Sequence, residues 1–398
     1  MLDFTLSEEQ LMLQEVVRDF AAKEVAPRAR ENDEKHRFDE SLIPKMAALG
    51  LLGVCIPQKY GGAGMDYISY GVACEALEYA DSAARTLVSV HCGLNCLSLY
   101  TWGTEEQKQR FLVPQAKGEK LGCFGLTEPN AGSDVLGMQS TARRDGNHYI
   151  LNGEKMWISL ASYADHFLIF AYTDKEKKAR GVSAFIVEKG TPGLSTAAIQ
   201  GKMGLHASNA ASVSLIDVRV PAANRLGEEG EGFLIAMSAL DNGRYGLAAG
   251  ATGLIAAAHD ASVSYAKTRM AFGAPIGQLQ LVKELIAEQV SLLEAARLLW
   301  WRAGWLKNQG LPNTRETSLA KWFATEGAVK AADNAIQVHG GYGYSNEYPV
   351  ERFYRNARAT TLYEGTSQIH KLLQADFALG YRAYKPPRRT LPAYVAGE

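Results

Sequence analysis

The sequence contains no run of about 18 consecutive apolar residues, the length that a membrane-spanning helix requires. Its start, MLDFTLSEEQ, carries acidic residues where a secretory signal needs a basic region followed by an apolar one. The few cysteines form no pair of CxxC elements; they are Cys55, Cys74, Cys92, Cys96 and Cys123. We therefore expect a reduced cytoplasmic protein, or one of the mitochondrial matrix if a transit peptide has been removed, and neither a secreted nor a membrane-spanning one.

The sequence also has almost no net charge, since 42 Lys and Arg residues face 43 Asp and Glu residues. A nearly neutral chain offers no overall field that would attract nucleic acid or an anionic membrane. Cys92 and Cys96 are spaced one helical turn apart and could join a third ligand at a metal, but cysteines in apolar contexts are more often small buried side chains. No metal is expected, and partners should be recognised at local sites.

A chain of 398 residues is long enough for two or three domains, and its first part, 1–120, has the pattern of a helical domain. SEEQLMLQEVVRDFAAKEVAP begins with a capping box, Ser7 with Gln10, and the helix is predicted to end at Pro27. Thr104 opens a short fifth helix. The helices between them are predicted at about 38–49, 66–79 and 82–101.

The segment 121–230 changes to the two-residue period of strands. DGNHYILNGEKMWIS, DHFLIFAYT, GVSAFIVEKG and SVSLIDVRVP read as strands, with Asp145-Gly146 and Asn152-Gly153 as turns. Because no long helix interrupts them, we predict an antiparallel β sandwich or barrel that closes near Pro221.

The segment 231–385 returns to the helical period, and its four long amphipathic stretches predict a four-helix bundle, followed by a tail at 386–398. The predicted fold class is therefore mainly α with a central β domain. GEEGEG and GGYGYS do not follow a strand and open a helix in a βαβ unit, so we reject a Rossmann dinucleotide fold.

Two stretches at the start of the β segment have ligand-binding character. GCFGLTEPNAGSD, at 122–134, offers the hydroxyls of Thr127 and Ser133, small residues and free backbone amides. KMWIS places Trp157 two residues before Ser159, an aromatic plane beside a hydrogen-bond donor. Taken from the residues alone, a polar connection between domains is the more common origin of such stretches.

Two further stretches lie among the C-terminal helices. RMAFGAPIGQLQLV places Arg269 near Phe272, and QVHGGYGYSNEYPVERFYR carries Gly340 and Gly341 at the end of a predicted helix. Arginine beside exposed backbone amides suits a pyrophosphate. A glycine pair at this point is also a simple helix stop, so both interpretations stay open.

The stretches TEPNAGSD, KMWIS, RMAFG, QVHGGYGY and YEGTSQI, in this order, resemble the acyl-CoA dehydrogenase family, and the resemblance extends over nearly the whole chain. It implies a flavoprotein with an N-terminal helical domain, a middle antiparallel β-barrel or sandwich and a C-terminal four-helix bundle. It also implies dehydrogenation of an acyl-CoA thioester to a trans-2-enoyl-CoA, with FAD as cofactor and an electron-transfer flavoprotein as acceptor, as in fatty acid β-oxidation.

The resemblance implies an FAD site shared between two subunits. The residues that would line the isoalloxazine and its phosphates are Phe124, Leu126, Thr127, Ser133, Trp157 and Ser159. The residues that would reach the adenine and pyrophosphate from a neighbouring chain are Arg269, Phe272, Gln280, Gln337, Gly340 and Gly341, with Thr366 and Gln368 closing the site. Such a site requires at least a dimer, and dimers in the family usually pair into homotetramers.

Glu364 is the candidate catalytic residue, between Tyr363 and Gly365 in ATTLYEGTSQIHKLL. Removing a proton from the carbon next to a thioester requires a carboxylate that apolar walls desolvate, so that its pKa rises, together with donors to the thioester oxygen. Leu362 and Tyr363 would supply the walls, and Gly365 would let substrate pass close. The alternative is an acidic residue favoured by the dipole of the next helix.

The resemblance implies that Glu364 is this base. In relatives the base's own N–H and a flavin ribose hydroxyl bind the thioester oxygen, the β-hydrogen leaves as hydride to flavin N5, and Ser159 and Thr127 would tune the flavin. Some members carry the base on the first bundle helix, in the segment matching LDNGRYGLAAG. That position is Gly243 here, so no rival carboxylate is present.

The acyl group is expected to lie against the N-terminal helices, where Arg85 and Ser89 are one helical turn apart. Relatives acting on glutaryl-CoA carry Arg and Ser with this spacing, and IQGKMGLHAS looks like that subgroup, although His206 replaces its usual arginine. An arginine on an amphipathic helix is more often a structural charge. The contacts implied for the CoA portion are Asp241 and Arg244, with Ser133 at the pantetheine.

A short-chain or branched acyl-CoA is the main expectation. The alternatives are glutaryl-CoA or another dicarboxyl-CoA, with or without loss of carbon dioxide, and a flavin oxidase or monooxygenase on the same scaffold. The presence of Glu364 and Arg244 favours the dehydrogenase over the oxidase. A helical scaffold without catalysis would explain the amphipathic helices but not the five motifs together.

Overall fold

The computed structural model describes residues 5–384 and 389–397. Within these ranges the order of elements is helices, then a sheet, then helices, and this confirms the predicted fold class. The helices of the described residues include none that is both long and apolar enough to cross a membrane.

Eight α-helices form the N-terminal part. Their bounds are α1 Glu8–Phe20, α2 Ala26–Glu34, α3 Leu42–Ala48, α4 Tyr67–Ala80, α5 Ser82–Val88, α6 Leu97–Trp102, α7 Glu105–Gln107 and α8 Val113–Ala116. The capping boxes at Ser7 and Thr104 are both present, each with a side-chain oxygen accepting from the backbone of a glutamine three residues later.

The predicted helix end at Pro27 is wrong. The chain continues from α1 through a π-helical turn, Ala21–Val25, into α2, and Pro27 lies in the first turn of α2. A proline is tolerated there because the first N–H groups of a helix need no intrahelical acceptor. A second π-helical stretch, Ser89–Cys96, separates α5 from α6 inside the helix predicted at about 82–101.

The middle part is one eight-stranded sheet. Its strands are β1 Gly122–Gly125, β2 Thr141–Asp145, β3 His148–Ser159, β4 His166–Tyr172, β5 Val182–Glu188, β6 Leu194–Ala198, β7 Ala210–Pro221 and β8 Arg225–Leu226. The strand order is β6-β7-β3-β2-β4-β5-β8, with β1 beside β4. Most pairs are antiparallel as predicted, but β1 and β2 pair with β4 in parallel.

The C-terminal part begins at Gly232. A two-stranded hairpin, β9 Met270–Ala271 with β10 Ala274–Pro275, connects its first two helices. The helices are α9 Gly232–Thr268, α10 Gln280–Asn308, α11 Thr314–His339, α12 Val350–Thr360 and α13 Ser367–Ala378. Helices α9, α10, α11 and α13 correspond to the four predicted amphipathic stretches, and α12 is additional.

A continuous apolar core runs through all three parts, from Val17 to Ala357. The tail segment 389–397 lies against it: the Tyr67 hydroxyl donates to the carbonyl of Pro392 at 2.7 Å, and the Tyr394 N–H donates to the carbonyl of Asn308 at 3.0 Å. Arg389 adds a bond to the carbonyl of Trp102. The tail therefore connects the N-terminal helices to the end of α10.

Candidate active site

Glu364 occupies the short turn between α12 and α13. Its φ is +56°, a left-handed conformation that disfavours residues with a side chain, and the following Gly365 has φ +95°. Thr366 then caps α13, because its side chain accepts a hydrogen bond from the N–H of Ile369. Glu364 therefore lies two residues before the N-cap of α13, with its Oε2 facing α9 at Gly243.

The side chain of Glu364 is half-buried, and one of its carboxylate oxygens is enclosed by the protein. Its Oε2 atom is buried and has no hydrogen-bond partner among the described residues. Burial raises its pKa to about 7, against the opposing charges of Arg85, Lys321 and Arg244. A Cβ added at Gly243 of α9 would lie only 2.6 Å from Oε2, so the missing side chain makes the space for this oxygen.

Two cations hold the backbone of the turn. Arg244 of α9 donates from Nε to the carbonyl of Glu364 at 3.0 Å, and it pairs through Nη1 with Asp241 at 3.0 Å. Lys321 of α11, which is fully buried, donates from Nζ to the carbonyl of Gly365 at 2.6 Å. The structure therefore brings together Asp241, Arg244, Glu364 and Gly365, which the sequence had placed at one substrate site.

Arg85 and Ser89 also meet as predicted, with Nη1 of Arg85 3.0 Å from the Ser89 hydroxyl. Arg85 also contacts two other residues. Its Nε forms an ion pair with the buried Glu78, and its Nη2 donates a hydrogen bond to the Tyr363 hydroxyl at 2.8 Å. Burial opposes its charge, but Glu78 and Tyr363 outweigh that effect and raise the pKa of Arg85. Sequence reasoning missed Glu78.

The two motifs of the middle part lie side by side. The N–H of Met156 donates to the carbonyl of Thr127 at 2.9 Å, which joins TEPNAGSD to KMWIS. Beneath them the buried Lys155 forms an ion pair with Glu128 at 2.7 Å. Trp157 is 57% exposed and has φ +62°, so its ring stands out from β3. The other predicted residues of this group, Phe124, Leu126, Ser133 and Ser159, lie on β1, β3 and the loop after β1.

The second predicted group lines an open groove of about 610 Å³ between the end of α9 and the end of α11. Arg269, Gln337, Gly340 and Gly341 all line it, and a Cβ added at either glycine would meet no atom within 4 Å. Phe272, at the tip of the β9–β10 hairpin, is 93% exposed. The remaining residues of the group, Gln280, Thr366 and Gln368, lie at the starts of α10 and α13.

Three family models match consecutive parts of the chain: the N-terminal domain of acyl-CoA dehydrogenase at residues 7–119, its middle domain at 123–218 and its C-terminal domain at 230–379. The chain belongs to the acyl-CoA dehydrogenase family. It is therefore an FAD-dependent oxidoreductase.

Individual relatives cover almost the whole acyl-CoA dehydrogenase chain. The short-chain specific acyl-CoA dehydrogenase of Clostridium acetobutylicum is 43% identical over 94% of this chain and 98% of that protein. A chain in a structure of the electron transferring flavoprotein of Acidaminococcus fermentans is 43% identical over 95% of this chain and all of its own, with a TM-score of 0.94. Glutaryl-coenzyme A dehydrogenase bound to glutaryl-CoA is 40% identical over 96% of this chain and 98% of its own, also with a TM-score of 0.94.

The residues present fit an FAD. Of the eight described non-glycine residues with positive φ, three are predicted site residues of this acyl-CoA dehydrogenase: Trp157, Phe272 and Glu364. Backbone strain of this kind persists where a binding site requires it. The open cradle at Gly340 and Gly341, the exposed Trp157 ring and the unpartnered carboxylate are the surfaces that a large planar cofactor and a thioester need.

Three buried polar residues close to the base were not found from the sequence. They are Glu78, Lys321 and Tyr70, and the only signal for Glu78 and Lys321 is a charge within an apolar helical stripe. Tyr70 carried no signal, because a tyrosine on such a stripe is ordinary.

Proposed function

We propose that this enzyme removes a proton and a hydride from adjacent carbons of a short acyl-CoA, with Glu364 as the base. The observation that carries the proposal is one oxygen of Glu364: Oε2 is buried, has no hydrogen-bond partner among the described residues and faces the gap at Gly243, and the pKa of the carboxyl group is raised to about 7. A base that titrates near the working pH is both ionised and strong enough to accept a weakly acidic proton.

The residues of this chain support each part of that step. Glu364 Oε2 takes the α-proton, and Arg244 and Lys321 hold the turn so that the oxygen keeps its direction. Trp157, Ser159 and Thr127 would hold the flavin ring, and Arg269, Gln337, Gly340 and Gly341 would hold its adenine and pyrophosphate from a second subunit. The bound flavin supplies the hydride acceptor. The product is then a trans-2-enoyl-CoA.

The side chains packed against one face of α9 support the preference for a short acyl chain. Gly243 faces the base, Gly246 faces the Tyr70 hydroxyl and Gly250 faces Arg85, each with a Cβ position less than 3 Å from the opposing side chain. Residues three or four apart on a helix are about 5–6 Å apart. An acyl chain that runs along this face from the base therefore meets Tyr70 after about one helical turn, which is room for a short chain only.

A second candidate substrate is a dicarboxyl-CoA such as glutaryl-CoA. The observation that favours it is the pair of donors at Arg85 and Ser89, close to the residue before the base. Glu78 already compensates the charge of Arg85, so a second carboxylate would have to share this cation. The double variant Glu78→Gln/Arg85→Met tests this candidate: a loss of kcat/KM for glutaryl-CoA that clearly exceeds the loss for butyryl-CoA supports it, and equal losses for the two substrates dismiss it.

The partners follow from the same proposal. We propose an electron-transfer flavoprotein as acceptor, supported by the similarity to the chain in the Acidaminococcus structure. We propose a homotetramer built as a dimer of dimers, because the hairpin residue Phe272 and the α10 residues Leu281 and Trp305 expose large apolar surfaces on this chain.

A reducing compartment, the cytoplasm, suits the five buried free cysteines. The domain boundaries that we propose are 1–120, 121–230 and 231–385, with a tail at 386–398.

The test is anaerobic mixing of the purified holoenzyme with a panel of acyl-CoAs while the visible flavin absorbance is followed. We expect bleaching by short acyl-CoAs, and loss of bleaching in Glu364→Gln but not in Glu294→Gln, an exposed glutamate of α10. Equal bleaching by the wild type and Glu364→Gln would contradict the proposal. Hydrogen peroxide released in air during turnover would favour the oxidase instead.

A further inference from the structure

Lys321 is a buried cation without a carboxylate partner. Its side chain is fully buried in α11, and no ion pair to it occurs among the residues that the structure describes. Burying an unpaired ammonium is costly, and burial here lowers the pKa of Lys321 to about 7, although Glu364 opposes this change. Because burying this ammonium is costly, we infer that Lys321 has a role other than filling space in the core.

The contact of Lys321 lies beside a residue with a left-handed backbone conformation. Glu364 has φ +56°, a conformation that the Cβ of any side chain disfavours. The carbonyl of Glu364 is held by Arg244 from α9, and the next carbonyl, of Gly365, is held by Lys321 from α11 at 2.6 Å. Side chains from α9 and α11 thus bind the carbonyls of two consecutive residues and stabilise the left-handed conformation of the turn.

Among the three cations near Glu364, Lys321 alone forms no ion pair in the described part of the chain, although the charges of Glu364 and Glu326 act on it. Arg85 is paired with Glu78, and Arg244 is paired with Asp241 at 3.0 Å. The groups that face Glu364 from the surrounding elements are Tyr70 of α4, Arg85 of α5, Arg244 of α9, Lys321 of α11 and His370 of α13, with Tyr363 as its chain neighbour. Burial and the two nearby cations lower the pKa of His370 to about 3, so this ring stays neutral.

We propose that Lys321 is a positioning residue for the base: its ammonium fixes the Gly365 carbonyl, and its positive charge favours the ionised form of the Glu364 carboxylate. This inference rests on the proposed function of Glu364 as base. The role is separate from proton abstraction itself, since Lys321 touches the peptide after the base and not the reacting carbons.

The two parts of the role separate in two variants. Lys321→Met removes the charge and the donor, while Lys321→Gln removes the charge and keeps an N–H donor for the Gly365 carbonyl. Because the positive charge lowers the pKa of Glu364, both variants should move the acid limb of the kcat/KM profile upward, by about one pH unit. Only Lys321→Met should also lower the plateau rate, by about tenfold, because the turn is then free to relax.

Lys371→Met is the matched control. Lys371 lies on α13, forms an exposed ion pair with Glu326 at 3.1 Å, and does not contact the turn of Glu364. Its removal should leave both the acid limb and the plateau at the wild-type values.

A second readout needs no turnover. In substrate-free holoenzyme, the infrared band of a protonated carboxyl group that disappears in Glu364→Gln reports the ionisation of Glu364. Its midpoint should rise in Lys321→Met and Lys321→Gln by the same amount as the kinetic limb. Unshifted midpoints in both variants overturn the inference, and so does loss of flavin from both, since Lys321 would then serve the fold. A wild-type enzyme that no acyl-CoA bleaches would instead overturn the proposed function.

Discussion

Arg85 donates a 2.8 Å hydrogen bond to the hydroxyl of Tyr363, although 278 positions separate the two residues in the chain. Tyr363 directly precedes the base, and burial raises its pKa to about 12, so it stays a neutral phenol at working pH. A helix of the N-terminal part is thereby attached to the turn that carries the Glu364 carboxylate, the proposed base. Changes at Arg85 should consequently be felt at Glu364.

The ion pair of Arg85 with Glu78 should contribute measurably to the free energy of unfolding. Arg85→Ala leaves the Glu78 carboxylate buried and unpaired, which we expect to lower the free energy of unfolding by about 3–5 kcal/mol. The double variant Glu78→Gln/Arg85→Met removes both charges and should recover most of this loss. Denaturant unfolding of the holoenzymes measures it, and a double variant no more stable than Arg85→Ala would show that the pair is not the cause.

Gly243 should be required for activity. Alanine there would place a Cβ 2.6 Å from Glu364 Oε2, and the displaced carboxylate should lower kcat by about 10²-fold. The same Cβ would lie 2.7 Å from Cδ2 of the buried Leu94, so some thermal stability should be lost even though alanine favours a helix over glycine by about 1 kcal/mol. Measuring kcat on folded, flavin-replete enzyme separates the effect on the base from the effect on stability. Gly327→Ala in α11, where the nearest atom is a side-chain methyl at 3.3 Å, is the control and should keep full activity.

Tyr70 should limit the length of the acyl chain. Its hydroxyl is buried, has no hydrogen-bond partner in the described part of the chain, and fills the space beside Gly246. Tyr70→Leu should raise the ratio of kcat/KM for octanoyl-CoA to that for butyryl-CoA by about tenfold or more. Tyr70→Phe, which keeps the ring, should retain the wild-type ratio. An unaltered ratio in flavin-replete Tyr70→Leu would place the floor of the pocket elsewhere.

The rate of flavin reduction should depend on pH through the base. Since Glu364 must be ionised to accept a proton and burial raises its pKa to about 7, the rate should rise as pH increases through neutrality and level off above it. Rapid mixing with butyryl-CoA at a series of pH values measures the rate of flavin reduction and the pH at which this rate is half of its maximum. A midpoint near the ordinary glutamate pKa of about 4.3 would mean that Glu364 is solvated in the working enzyme.

The sequence predicted well what depends on neighbours in the chain. The capping boxes at Ser7 and Thr104 were found because a cap is a contact over three residues. The end assigned at Pro27 was wrong because a π-helical turn places that proline at the start of a new helix, and no local pattern signals such a turn.

The electrostatics of the site could not be predicted in the same way. The carboxylate of Glu364 was identified, but the burial that raises its pKa and the grip of Lys321 depend on elements packed from distant parts of the chain. Arg85 was likewise considered as a receptor for a substrate carboxylate, whereas its partner Glu78 becomes visible only where two helices meet around Asp81. Sequence spacing places side chains on a face, and packing decides which charges are compensated.

The segment 389–397 reinforces the contact between the N-terminal helices and the end of α10, because its bonds to Tyr67, Trp102 and Asn308 add to the direct bond from the Tyr67 N–H to Oδ1 of Asn308. None of these bonds involves the turn that carries Glu364. A chain shortened before residue 389 should therefore keep its turnover at moderate temperature and lose first its resistance to heat inactivation.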